Sequence, residues 1–283
     1  MSKPNDRAKQ TATIAPESVT GVRVSALAMA RGSRREPATR HEIRDRARLG
    51  AMLDRALSSL WIAYQPLVTA ATGSLFGYEA LLRSDDAALT DPSAILDAAE
   101  ALGRVYAVGR AVRDQAPEPM QSVPPPALLF INLHPSELND EALMVPFAPL
   151  TRIAERVVLE ITERSSLELI DDIPFRVAQL RELGFRIAID DLGVGYSGLA
   201  SFAQLEPEFV KLDMSLVRDI HKHPMKQKLV RSMTALCKDV GITVVAEGIE
   251  VIEERDAVVE LGCELLQGFL FAEPGRAFPA VRS

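Results

Sequence analysis

Residues 185–196 read Phe-Arg-Ile-Ala-Ile-Asp-Asp-Leu-Gly-Val-Gly-Tyr. This short apolar run with its β-branched residues, Ile187 and Ile189, predicts a buried strand. The strand ends on adjacent carboxylates, Asp190 and Asp191, and the glycines that follow allow a sharp backbone turn. Adjacent side chains on a strand point to opposite faces, so both acids can serve one site only where the strand ends. An Asp-capped turn accounts for most matches to such a motif, so a site must be argued from other acids.

Strands and helices alternate along most of the chain. Apolar and β-branched runs predict strands over 61–68, 75–82, 128–133, 157–162, 185–189, 209–213, 242–246 and 265–271. The spacing of apolar residues predicts helices over 41–60, 91–114, 167–183, 226–240 and 251–261. The first two strands flank a Thr72-Gly73 turn and are expected to pair as a hairpin. The alternation predicts a parallel sheet, and its length favours a closed β/α barrel. The alternative is a doubly wound open sheet, but its Gly-x-Gly-x-x-Gly loop is absent after the first predicted strand.

Polar residues recur at or near the predicted strand ends, where a β/α barrel carries its site. They are Glu79, Asn132, Glu160, Asp190, Asp191, Lys211, Glu247 and Gln267. Carboxylates crowded at one barrel mouth are costly without cations. Their hard oxygen donors suit Mg²⁺ or Mn²⁺ rather than zinc. Several acids can hold two ions about 3.5–4 Å apart, the arrangement used in phosphate-ester hydrolysis.

The formal net charge of −7 is distributed unevenly along the chain. Residues 1–50 hold eleven Lys/Arg and five Asp/Glu, so the remaining residues carry a strong acidic excess. An acidic body argues against a nucleic-acid polymer as the main ligand. It also repels a small anionic ligand unless metal ions neutralise the site.

The sequence predicts three parts. Residues 1–40 are rich in Ser, Thr, Pro, Ala and Arg without sustained periodicity and are expected to be a disordered tail. Residues 41–60 are expected to form a lead-in helix, and residues 61–283 a barrel domain. No apolar run approaches the length of a membrane-spanning helix. Cys237 and Cys263 form no paired-cysteine motif, which favours buried thiols in a reducing cytoplasm.

A series of motifs occurs in one order between Leu60 and Phe278. It comprises Tyr64-Gln65-Pro66, Tyr78-Glu79-Ala80-Leu81-Leu82-Arg83, Ile131-Asn132-Leu133, Glu160-Ile161-Thr162-Glu163, Asp190-Asp191, Lys211-Leu212-Asp213, Ala246-Glu247-Gly248-Ile249-Glu250 and Gln267-Gly268. One of these motifs is weak evidence, but all of them in this order are highly specific. On these residues the chain resembles the EAL domain of bacterial cyclic di-GMP phosphodiesterases.

The resemblance implies a modified TIM-type β/α barrel with one antiparallel strand. It also implies hydrolysis of cyclic di-GMP to linear pGpG at a two-metal site holding Mg²⁺ or Mn²⁺. By resemblance, one metal is held by Glu79, Asn132, Glu160 and Asp190, and the second by Asp190, Asp191 and Glu247. Glu79, Lys211 and Glu247 would be catalytic, Lys211 by holding the attacking water or a phosphate oxygen. Gln65, Leu81, Arg83 and Gln267 would bind the substrate, with Gln267 close to the metal and water, and Glu163 and Glu250 would support the loop after the aspartate pair.

The loop after the aspartate pair departs from the family pattern at three positions. Leu192, Val194 and Gly198 stand where the family usually has Phe, Thr and Ser, and no metal ligand is lost. In the family this loop couples dimer contacts to activity, so the tuning of activity is what these changes affect. The resemblance suggests a homodimer. The chain has no GGDEF motif, and its input is expected through the tail, the oligomer or an unidentified sensor partner.

Two other functions remain open on the sequence. The chain could be a cyclic di-GMP receptor without turnover, or a protein-interaction module on a degenerate barrel. Degenerate members usually lose an acid from the Glu-x-x-Glu or Asp-Asp sets, and this chain keeps them all. The sequence therefore favours the enzyme.

Overall fold

Eight strands close into a barrel in chain order. The structure of the protein, a computed structural model, describes residues 40–162, 170, 172–193, 198–276 and 278–282. The strands are β1 Leu60–Thr69, β2 Leu75–Ser84, β3 Leu128–Leu133, β4 Val157–Thr162, β5 Arg186–Leu192, β6 Phe209–Leu212, β7 Thr243–Ala246 and β8 Leu265–Gln267. β1 pairs antiparallel with both β2 and β8, whereas the pairs from β2 to β8 are parallel. The predicted barrel with one antiparallel strand, and its opening hairpin, are confirmed.

Helices flank the strands along the chain. They are α1 Arg40–Ser58, α2 Pro92–Leu102, α3 Val105–Gln115, α4 Ile173–Glu182, α5 Gly198–Leu205, α6 Met214–Val217, α7 Pro224–Asp239 and α8 Ile252–Glu260. The lead-in helix α1 buries Leu53 and Ala56 against Ile95 and Ala99 of α2. None of the described helices is long and apolar enough to cross a membrane.

The single helix predicted over 91–114 is wrong, because the chain breaks there into α2 and α3. The side chain of Asp91 accepts a hydrogen bond from the backbone of Ser93 and caps the start of α2. Gly103 then adopts a left-handed φ of 68° and ends the helix. The apolar spacing continues across this break, so the pattern alone could not reveal it.

Other element boundaries also differ from the prediction, and two short helices were not part of it. β8 ends at Gln267 rather than at 271, because the chain turns at Gly268. The short helices α5 and α6 were not predicted. α4 begins at Ile173, and residues 167–169 and 171 of the predicted helix lie outside the described residues.

The strand pleat places one layer of apolar side chains below the polar residues of the barrel mouth. This inner layer comprises Leu67, Leu128, Phe130, Val158, Ala188, Phe209, Val245 and Leu265. On each strand that contributes to this layer, a polar residue is two positions away from a layer residue. Glu160 is two residues from Val158, and Lys211 is two residues from Phe209. Because side chains two apart on a strand share a face, the polar residues lie above this plug on the inside of the barrel.

Candidate active site

Lys211 lies at the centre of the barrel mouth with 1% of its side chain exposed. Its Nζ is 2.6 Å from Glu247 Oε1, 2.7 Å from Glu160 Oε1, 3.3 Å from Glu79 Oε2 and 3.4 Å from Asp190 Oδ1. Four strands therefore deliver carboxylates to one buried ammonium. This burial excludes a lysine that is solvated at the edge of the barrel.

The charges of this cluster shift one another's pKa values. Burial opposes the charged form of Lys211, but the surrounding carboxylates outweigh it and raise the lysine pKa well above its usual value. Burial, together with the neighbouring carboxylates, raises the pKa of Glu160 well above its ordinary range and that of Glu247 to about 8. Burial would raise the pKa of Glu79 as well, but Lys211 and hydrogen bonds from Gln267 and Asn132 lower it. The site thus holds more acid than one lysine neutralises.

Two carboxamides fix the orientation of Glu79. Asn132 Nδ2 donates to Glu79 Oε1 at 2.9 Å and to Glu160 Oε2 at 3.3 Å. Gln267 Nε2 donates to Glu79 Oε2 at 2.7 Å and to Gln65 Oε1 at 3.3 Å. The chain of hydrogen bonds joins β1, β2, β3, β4 and β8, so these side chains are held in one arrangement before any ligand arrives.

A backbone irregularity explains how the adjacent aspartates serve one site. The register between β5 and β6 shifts between Ile189 and Leu192, and Asp191 has a left-handed φ of 58°. This distortion removes the strict alternation that would send Asp191 to the opposite face. Oxygens of Asp190, Asp191 and Glu247 consequently lie within 4.8 Å of one another.

This group of oxygens can hold a divalent cation. Asp190 Oδ1 is buried, with the Lys211 ammonium 3.4 Å away but no hydrogen bond among the described residues, and Gln267 Oε1 is buried there without a hydrogen-bond partner. Buried acceptors without partners are costly, and a cation would satisfy the aspartate oxygen. Carboxylate and carboxamide oxygens are hard donors, so the donor set fits a hard divalent ion.

Close backbone approaches position Glu247. A Cβ on Gly268 would lie 2.1 Å from the carbonyl oxygen of Ile249, so only glycine lets the segment after β7 pack against the end of β8. The backbone amide of Ile249 donates to Gln267 O at 3.1 Å and closes this contact. Gly248 has a φ of 68°, which a residue with a side chain would adopt only under strain. The glycines next to Glu247 and Gln267 therefore set where these two side chains point.

The profile of the EAL domain matches residues 51–274. The chain belongs to the EAL domain family. It is 31% identical over 251 residues to the oxygen sensor protein DosP of Escherichia coli, covering 84% of this chain and 31% of DosP. It is 33% identical over 224 residues to the cyclic di-GMP phosphodiesterase RocR of Pseudomonas aeruginosa, covering 75% of this chain and 56% of RocR. The chain thus spans less than two thirds of the length of these curated relatives.

Solved structures of EAL proteins share the fold. BlrP1 of Klebsiella pneumoniae, in complex with calcium and cyclic di-GMP, superposes with a TM-score of 0.71 at 33% identity, over 79% of this chain and 58% of BlrP1. A standalone EAL protein from Vibrio cholerae, bound to cyclic di-GMP, gives a TM-score of 0.66 at 30% identity, over 79% of this chain and 95% of that one.

Some of the other residues expected at the EAL site lie beside the acidic cluster, and others do not. Leu81 and Arg83 stand on the same face of β2 as Glu79, and Gln65 faces them from β1. Arg83 lines a cavity of about 450 Å³ together with Asn132, Asp190 and Asp191. Burial lowers the pKa of Arg83. Glu250 lies outside the cluster and pairs with Arg218, while Glu163 is outside the described residues.

The EAL barrel also contains a buried ion network that the sequence reading missed. Arg113 on α3 pairs with Glu137 and Asp140, which follow β3, and Arg110 pairs with Asp140 at 2.5 Å. A Cβ on Gly109 would lie 1.7 Å from Glu137 Oε1, so glycine makes room for this acid. The network ties α3 to the segment that leaves Asn132. The sequence carries a signal for this network in its spacing: Arg110 and Arg113 are three residues apart, and so are Glu137 and Asp140.

Proposed function

We propose that the chain hydrolyses cyclic di-GMP to linear pGpG and thereby lowers signalling by this second messenger. One observation carries the proposal: four carboxylates converge on buried Lys211 at the mouth of an EAL barrel, and two carboxamides hydrogen-bond to one of them. The name of RocR and the cyclic di-GMP bound to the structural relatives support this substrate. The acidic mouth supports a cation-dependent reaction, because an anionic substrate would otherwise be repelled.

We assign the cations as Mg²⁺ or Mn²⁺, held by two overlapping groups of ligands. Glu79, Asn132, Glu160 and Asp190 would hold one ion, and Asp190, Asp191 and Glu247 the other. The manganese and cyclic di-GMP complex of BlrP1 supports a divalent ion of this class. When bound, such ions neutralise the phosphodiester and supply a water of lowered pKa.

The chain's own residues position the reacting groups. The three N–H groups of the Lys211 ammonium face four carboxylates, and one of them would turn to the attacking water or to a phosphate oxygen in the reaction. Gln65, Leu81 and Arg83 would contact the dinucleotide, and Gln267 would sit beside the attacking water. Water adds to one phosphorus, the P–O3′ bond breaks and the 3′ oxygen takes a proton. The product is a linear dinucleotide with a 5′ phosphate.

We further propose a cytoplasmic homodimer that receives its signal from a sensor partner. The two cysteines are free and buried, as expected in a reducing compartment. Leu192 is buried and pairs with Leu212 of β6, so this departure from the family loop is accommodated within the sheet. Val194 lies outside the described residues, and Gly198 is the first residue of α5.

Two substitutions test the assignment when turnover and affinity are measured together. Glu79→Ala deletes a ligand and should lower turnover by orders of magnitude. Glu247→Gln keeps the side-chain volume, removes one charge from the second ligand group and should also abolish turnover while cyclic di-GMP still binds. Both residues stand above the apolar layer of the barrel, so the variants should fold. Glu253→Gln, at an exposed acid of α8, is the matched control and should behave as the parent.

A parent that binds cyclic di-GMP without turnover would favour the receptor over the enzyme. A Glu247→Gln variant that hydrolyses at the rate of an active parent would overturn the role of Glu247.

A further inference from the structure

An arginine and a tryptophan stack at the rim of the barrel mouth. The guanidinium carbon of Arg276 lies 4.0 Å from the centre of the Trp61 ring. Asp85 accepts hydrogen bonds from Trp61 Nε1 at 2.9 Å and from Arg276 Nη2 at 2.6 Å. One carboxylate thus fixes both planes. We call these three residues the rim cluster.

The strand register places the rim cluster above the candidate active site. Trp61 faces Arg83 across the β1–β2 pair, and Gln65 faces Glu79. Trp61 and Gln65 are four residues apart, so they share the inner face of β1 with about 13 Å between their Cα atoms. Arg276 follows Gly275, whose backbone bonds to Tyr64, and is thereby brought against the same strand.

The contacts of the rim cluster contribute little to the stability of the protein, so stability does not explain why these three side chains are arranged in this way. Arg276 and Asp85 keep 60% and 61% of their side chains exposed, and exposed ion pairs contribute little. The contacts hold the Arg276 guanidinium over the indole of Trp61 and leave most of the arginine side chain open to a ligand. Such a plane stacks well on a nucleobase, and its fork of N–H groups matches the O6 and N7 acceptors of guanine.

We propose that the rim cluster binds one guanine base of the cyclic dinucleotide, with Trp61 and Asp85 presenting the Arg276 guanidinium to it. This inference rests on the proposed function, since it takes cyclic di-GMP as the ligand. A dinucleotide anchored by a phosphate beside Gln65 and Glu79 extends its bases outward, toward the rim. Arg83 stands at the level of the rim cluster, directly opposite Trp61. The cluster then contributes affinity and base preference, and the bond-breaking chemistry stays at the ligands below.

Binding and base-free turnover together test the rim cluster. Trp61→Ala, Arg276→Ala and the conservative Trp61→Phe are compared with Arg255→Ala, a control at an arginine that pairs with neighbouring Asp256. Calorimetry with Ca²⁺ gives the affinity for cyclic di-GMP and cyclic di-AMP in full-length protein. Hydrolysis of bis(p-nitrophenyl) phosphate with Mn²⁺ reports on the metal site without any base.

The alanine variants should lose about tenfold in affinity for cyclic di-GMP, the effect of one lost base stack. Trp61→Phe should keep most of the affinity for cyclic di-GMP. Arg276→Ala should reduce the ratio of the affinity for cyclic di-GMP to that for cyclic di-AMP. Hydrolysis of the base-free substrate should match that of the parent throughout.

Unchanged affinity in Arg276→Ala and Trp61→Ala, together with an unchanged base preference, would overturn the inference. An equal loss of base-free hydrolysis would overturn it too, because the cluster would then support the site as a whole. A parent that binds cyclic di-GMP but hydrolyses neither substrate contradicts the proposed function alone, and the affinities of the variants still decide the rim cluster. A parent that does not bind cyclic di-GMP overturns both.

Discussion

Lys211 shows how one buried charge organises an otherwise repulsive site. Four carboxylates lie within 4 Å of its Nζ. Removing one member of a buried ion group leaves uncompensated charge and costs about 3–5 kcal/mol. Divalent cations would supply the missing positive charge. The lysine and the cations are therefore expected to stabilise the same acids.

Lys211→Met tests this relation, since it keeps the length of the side chain and removes its charge. The variant should melt at a lower temperature than the parent in EDTA, and Mn²⁺ should raise its Tm by more than it raises that of the parent. Thermal unfolding in EDTA and in Mn²⁺ measures both effects. Lys228→Met, on the exposed face of α7, is the control. An equal gain from Mn²⁺ in parent and variant would contradict the account.

Most of the residues in the cluster were foreseeable from the sequence, because each stands at the end of a predicted strand. Their mutual geometry was not. Asp191 reaches the site through a register shift and a left-handed φ, which no periodicity reports. The sequence did not predict the rim cluster, because its three residues come together only in the tertiary structure. The roles of the individual site residues remain predictions.

The connection between α3 and the segment after β3 depends on charge rather than on apolar packing. Arg113, Glu137 and Asp140 are buried, and Arg110 covers Asp140 from the helix. The pKa of Asp140 lies below its usual value, chiefly because Arg110 donates a hydrogen bond to its carboxylate. A carboxyl with a lowered folded-state pKa contributes stability that is present above its unfolded pKa and is lost as pH falls through the folded pKa.

Asp140→Asn should therefore destabilise the protein at neutral pH by about 3–5 kcal/mol, because two arginines lose a buried partner. The difference between variant and parent should shrink as the pH falls and the parent's carboxyl becomes neutral. Denaturant unfolding at a series of pH values measures it. Asp114→Asn, at an exposed acid of α3, is the control and should track the parent. A loss of stability that persists unchanged at acid pH would contradict an electrostatic origin.

Elements were predictable where a pattern was long and uninterrupted. The hairpin and the order of strands follow from alternation and turn residues. The break between α2 and α3 was not foreseen, because apolar spacing runs through Gly103. β8 looked longer than it is, because apolar residues continue past Gly268, where the chain turns toward Ile249. In both cases a glycine conformation, set by tertiary contacts, overrode the local pattern.

At the scale of the whole chain, the acidic charge and the EAL barrel both support the proposed cation-dependent hydrolysis of a phosphodiester. The EAL barrel gathers acids at one mouth, and an acidic protein needs cations there before it can accept a phosphodiester. The division into a tail, a lead-in helix and a barrel domain stays a prediction, as does the source of the regulatory signal.

Product analysis is the sharpest test of the metal-dependent hydrolysis of cyclic di-GMP that we propose for this chain. The purified chain is incubated with cyclic di-GMP and Mg²⁺ or Mn²⁺, with and without excess EDTA, and the nucleotides are separated by chromatography. We expect linear pGpG with either metal and unchanged cyclic di-GMP in EDTA. Unchanged cyclic di-GMP in both metals, or full turnover in EDTA, would contradict the proposed function.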